Sequence, residues 1–106
     1  MENPSPHLVR MNQQEINEKR RLRHLPVALA LRDPVRANEV IISARQCIEM
    51  WREKGLCSHD YIEAWDNLLN HPNQAAAILE ARSSYADQLR QNSPFASVVR
   101  QLEHLK

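Results

Sequence analysis

The chain has 106 residues, one glycine, six prolines, five aromatic side chains and a formal net charge of +1. One glycine cannot furnish the positive-φ turns of a sandwich or barrel. Nor can it build the glycine-rich loop of a Rossmann or P-loop phosphate site. With 42% hydrophobic and 25% charged residues and no threonine, the composition predicts a single all-α domain, one small bundle of five to six helices.

Residues 1–11 hold Pro4 and Pro6 and little apolar material, so they read as a flexible lead-in to a helical domain over 12–106. Asn12, with Glu15 three residues on, has the form of a capping box opening a helix over Gln13–His24. Pro26 is expected to kink that helix or to start a second short one through Asp33. Asp33-Pro34 marks the start of a long helix to Lys54, with Val40, Ile41, Ala44, Ile48 and Trp51 as its apolar stripe and Gly55 as its left-handed cap.

Ser58 caps the next helix, over His59–Asn70, which His71-Pro72 closes. Asn73 then caps a segment that Ser83-Ser84 either leaves as one helix to about Gln91 or splits into two. Ser93-Pro94 opens the last helix, whose stripe is Phe95, Val98, Val99, Leu102 and Leu105. That stripe has two readings, packing on the chain's own core or docking into a partner's groove through Phe95, Val98, Val99 and Leu102. The break before it, Leu89 to Ala96, gathers an arginine, two amides and a phenylalanine.

The charges are unevenly placed. Residues 1–36 carry seven Lys/Arg against four Asp/Glu, and the remainder seven against nine. Lys19, Arg20 and Arg23 fall on one side of the first helix, since steps of three and four are neighbours, and form the candidate nucleic-acid-binding patch. A helix-turn-helix rhythm runs from Trp51 through Gly55 to Ser58. The would-be reading helix, however, carries Asp60, Glu63 and Asp66 and no basic residue, which phosphates would repel. The three acids share a face, and a solvated surface is the ordinary explanation for it.

Cys47, Cys57, His59 and His71 lack the paired spacing of a zinc site, so no metal and no cofactor is expected. No nucleophile–base arrangement stands out, and no catalytic residue is assigned. Arg52 and His59, however, have the spacing of an arginine followed after four to six residues by a histidine at a helix junction, which resembles the motif of the HEPN ribonucleases. That resemblance implies phosphate polarisation by Arg52 and proton transfer by His59.

Two thiols and no apolar run long enough to span a bilayer predict a cytoplasmic protein without a membrane partner. The expected function is a small helical protein–protein interaction module or bacterial regulator without catalysis of its own. An antitoxin-like subunit of a toxin–antitoxin pair, partnered by another protein or by self-association, fits that description. Nucleic-acid binding through the basic first helix and a HEPN-like ribonuclease are the alternatives.

Overall fold

The computed structural model describes residues 12–104, which form six α-helices and, among the described residues, no strand. The lead-in over 1–11 and the end of the last stripe at Leu105 lie outside the described residues. Helix α1 spans Gln13–Arg32, α2 Ala37–Lys54, α3 His59–Leu68, α4 Pro72–Glu80, α5 Ser84–Gln91 and α6 Ala96–His104. The all-α bundle expected from composition is the fold observed.

Local chemistry sets most of the ends. Asn12 and Glu15 close a reciprocal capping box, with Glu15 N–H donating to Asn12 Oδ1 at 2.8 Å and Asn12 N–H donating to Glu15 Oε1 at 3.0 Å. Ser58 accepts from Tyr61 N–H and Ser83 from Ala86 N–H, so each supplies the acceptor that the first turn lacks. Gly55, at φ 61°, ends α2 in the left-handed region, where an L side chain is strained. The Ser83 cap resolves the open question about the fourth segment in favour of two helices.

Three expectations about proline change. Pro26 neither breaks nor restarts α1, which runs unbroken through it. A mid-helix proline costs roughly 3 kcal/mol in an isolated helix. Here Val27, Ala28, Ala30 and Leu31, all within one turn and a half of it, are buried, and their packing holds the segment helical. Pro34 lies in a turn rather than in the helix. Asp33 receives Val35 N–H on its side chain at 2.9 Å and Ala37 N–H on its carbonyl at 2.9 Å, and α2 starts at Ala37. Pro72 opens α4 as its first residue instead of closing α3, and His71, not Asn73, occupies the cap position.

Helix α1 is the hub: it touches α2, α4, α5 and α6, most extensively α4. Ala28 on α1 and Ala75 and Ala76 on α4 are fully buried, and side chains this small let the two axes approach closely. On the other side of the core Trp65 of α3 meets Phe95 edge-to-face, with ring centroids 5.4 Å apart and planes at 85°. Val98 and Val99 are buried beside them, and Leu102 packs partly buried on the same cluster. Phe95, Val98 and Val99 of the α6 stripe are therefore covered by the chain's own core.

Candidate functional site

Two sets of hydrogen bonds fix the hinge between α5 and α6, and both answer the same need. The last carbonyls of a helix have no partner within it. At the end of α4, Ala77 O accepts from Ala81 N–H, Ile78 O and Leu79 O accept from Arg90 Nη1 at 2.8 and 3.0 Å, and Glu80 O accepts from Arg21 Nη1 at 3.1 Å. At the end of α5, Gln88 O accepts from the Tyr61 hydroxyl and Leu89 O from Trp65 Nε1. Arg90 is 2% exposed and keeps its charge matched by Asp87 at 2.7 Å. A buried cation is tolerated only when paired and hydrogen-bonded, and this one is both.

Beside this hinge, α1, the end of α5 and the start of α6 enclose a cleft of about 230 Å³. Four arginines line it: Arg20 and Arg23 from α1, Arg90 from α5 and Arg100 from α6. His24 and Ser93 complete the wall. Positions 20, 23 and 24 share one face of α1 by the three-and-four rule, so one helix supplies three of these groups.

His24 is 6% exposed, with Nδ1 at 2.8 Å from Arg20 O and Nε2 at 2.8 Å from Ser93 Oγ. A carbonyl only accepts, so this network assigns the proton to Nδ1 and makes Nε2 the acceptor from the Ser93 hydroxyl. The Ser93 oxygen in turn accepts from Phe95 N–H at 3.0 Å. Burial pushes the His24 pKa below its ordinary value, and the charges of Arg90, Arg23 and Arg20 push it the same way, against the backbone hydrogen bond. The ring is neutral at pH 7 and serves as a strut between α1 and the hinge.

The cations of the cleft are unequally matched. Arg23 is paired with Glu103 at 2.9 Å and Arg90 with Asp87. Among the described residues no carboxylate forms an ion pair with Arg20 or Arg100. Arg20 Nη1 and Arg90 Nε are also buried without a hydrogen-bond partner. An unsatisfied buried donor costs about 1–3 kcal/mol, more when it is charged. Arg20 and Arg100 also line the cleft without a carboxylate partner among the described residues, and an anion with several acceptor oxygens would match that pair.

A second cleft, of about 570 Å³, shares the wall Gln91, Ser93, Ala96 and Arg100 with the first. Its far side is α2, contributing Gln46, Cys47, Met50 and Trp51, with Asn92 of the hinge opposite.

The other residues singled out by sequence fall elsewhere. Lys19 is exposed and does not line the arginine cleft; it lines a shallow depression with Glu15 and Glu18 at the start of α1. Arg52 is held by Glu49 and Asp66, while His59 is exposed and lies 3.8 Å from Glu63. The two candidates of the ribonuclease-like spacing are thus engaged by separate acids, and no hydrogen bond joins them. Asp66 also takes Arg45 at 2.9 Å, which makes it the bridge between α2 and α3. Cys47 and Cys57 are free and partly buried, and burial raises the Cys47 pKa, which keeps that thiol protonated. Among the described residues no group of His, Cys, Asp and Glu is placed to hold a metal ion, and no helix is long and apolar enough to cross a membrane.

Sequence reasoning found Arg20, Arg23 and the Leu89–Ala96 break separately but missed His24 and Arg100. His24 carried one usable signal: it falls four residues after Arg20 on the same helical face. Arg100 carried none, because it follows an apolar stripe as an ordinary polar residue. The chain matches no protein-family model, no curated protein and no solved structure.

Proposed function

We propose that this protein is a small helical binding module that contacts nucleic-acid phosphates through the arginine cleft between α1, α5 and α6. The observation that carries the reading is the pair of guanidiniums, Arg20 and Arg100, that line one cleft and have no carboxylate partner among the described residues. Phosphate contact by arginine releases counterions, so affinity should fall as salt rises. Anisotropy titrations of a labelled single strand from 50 to 300 mM salt test this. The expected result is binding that weakens with salt, falls at least tenfold in Arg20→Ala and changes little in Lys19→Ala. Binding that ignores salt and Arg20 would reject the reading.

Protein interaction, the function first expected, keeps one observation in its favour. Leu29 near the end of α1 and Val35 in the following turn are 68% and 83% exposed. A solution mass above that of one chain, restored to the monomer value in Leu29→Lys, would support it.

A further inference from the structure

The two clefts that share Gln91, Ser93, Ala96 and Arg100 have different chemistry at their two ends. One end is cationic, with Arg20, Arg23 and Arg100 around the buried His24 and Arg90. The other is lined by Met50 and Trp51, with Gln46 and Asn92 beside them. A ligand that fills both has an anionic head and a flat body with polar edges. That is the chemistry of a nucleotide: arginine forks suit phosphate oxygens, a thioether and an indole suit a base face, and amides offer both a donor and an acceptor to a base edge.

The charge count selects the kind of phosphate. A backbone diester brings one negative charge, whereas a terminal monoester brings about −1.5 to −2 at pH 7 and three acceptor oxygens. Two guanidiniums of the cleft, Arg20 and Arg100, lack a carboxylate among the described residues, and a monoester matches them both. They also converge on one cleft, where a track for a passing strand would space its cations along the surface.

We infer that the joined clefts hold one nucleotide unit bearing a terminal phosphate, the phosphorylated end of a single strand, with the phosphate at Arg20 and Arg100 and the base beside Met50, Gln46 and Asn92. This rests on the nucleic-acid reading above and goes beyond it by naming the end, not the backbone, as the recognised feature.

The test compares three labelled single-stranded hexanucleotides of the same sequence, with a 5′-phosphate, with a 3′-phosphate and with hydroxyls at both ends, on the full chain at 100 mM salt and pH 7.5. One phosphorylated strand is expected to bind at least tenfold tighter than the hydroxyl strand. Unlabelled AMP carrying the phosphate at the favoured end should compete with it. The preference should vanish in Arg100→Gln, an exposed position whose change leaves the core intact, and in Arg20→Gln. Gln46→Ala should weaken the phosphorylated strand several-fold without removing the preference. Equal, salt-sensitive binding of all three strands would overturn the terminal-phosphate inference and leave the nucleic-acid reading standing. Failure of every strand to bind at low salt would overturn both.

Discussion

The α2–α3 seam and the α1–α6 cleft are both built on arginines, but only the seam matches each of its cations with an acid or an amide. Arg45 reaches Asp66 and Asn70, and Arg52 reaches Glu49 and Asp66, all on partly exposed side chains. In the cleft, Arg23 and Arg90 are matched, while Arg20 and Arg100 have no acid partner among the described residues. The difference separates two uses of one residue type. A guanidinium whose donors are satisfied inside the chain ties helices together, whereas one left unmatched in a cleft offers its charge to something else. Arg90 is of the first kind through Nη1 and Nη2, although its Nε has no hydrogen-bond partner and it lines the same cleft as the second.

The largest expected effect tests that assignment of Arg90. Arg90→Ala strips the acceptors Ile78 O and Leu79 O of their donor and leaves Asp87, whose side chain is 25% exposed, unpaired. A loss of about 3–5 kcal/mol is expected, read from urea denaturation midpoints. A loss under about 1 kcal/mol would mean that α4 is not held by its guanidinium cap.

Arg20 should behave in the opposite sense. Replacing an unmatched, partly buried cation by Met keeps its aliphatic contacts and removes an unsatisfied donor. Stability in Arg20→Met is expected to stay within about 1 kcal/mol of the parent or to rise, while affinity for a single strand drops at least tenfold. A variant that loses both together would place Arg20 with the structural arginines and erase the contrast.

Acid titration should show two separate losses. The His24 pKa lies below its ordinary value of 6.5, so below that pH the unfolded chain takes up a proton that the folded chain resists. Stability therefore falls as pH drops from about 7, and the loss levels off once pH has passed the folded value. Glu18 behaves as a carboxylate tied by Arg21 and then Arg82, with a pKa lowered from 4.5 to about 2. Its contribution is complete above pH 4.5 and disappears on the way to pH 2. Thermal melts at intervals from pH 7.5 to 2.5 would resolve the two windows, and His24→Gln should flatten the first without touching the second.

The smallest effect belongs to the matched seam. Asp66→Asn removes two ion pairs whose side chains are 38–40% exposed. A change of about 0–1 kcal/mol is expected, shrinking further in 1 M salt, and urea melts at low and high salt would measure it. A larger cost would show that the seam is more than a solvated surface contact.

Caps were the most legible part of this fold. Asn12 with Glu15, Ser58 and Gly55 act within three or four residues of themselves, so the chain alone specifies what they do, whereas the expected caps Asp33 and Asn73 gave way to Arg36 and His71, and Ser83 emerged as a cap only in the structure. The prolines were less legible, because a ring that ends one helix can equally open the next. Burial of Val27, Ala28, Ala30 and Leu31 decides the matter at Pro26, and at Pro72 the preceding turn does, with Asn70 N–H on Asn67 O and His71 N–H on Leu68 O. The candidate site was half legible. Local helical geometry brings Arg20, Arg23 and His24 to one face, but nothing local to Arg100 says that it will stand opposite them.

The amino-acid sequence by itself determined that this protein is helical, where α1 and α3 begin and α2 ends, and which faces must be covered. Those properties follow from glycine and proline content, from side chains that cap their own backbone and from the 3.6-residue period. Only the tertiary structure decided what covers each face and which charges meet. Amphipathicity demands burial without naming the partner, so the Phe95–Leu102 stripe could face inward or outward until α1 and α3 were seen to hold it. The match or mismatch of each arginine depends on long-range placement in the same way. Arg23 meets Glu103 and Arg90 meets the end of α4, while Arg20 and Arg100 meet no acid among the described residues, and that remainder is what turns a helical bundle into a candidate binding protein.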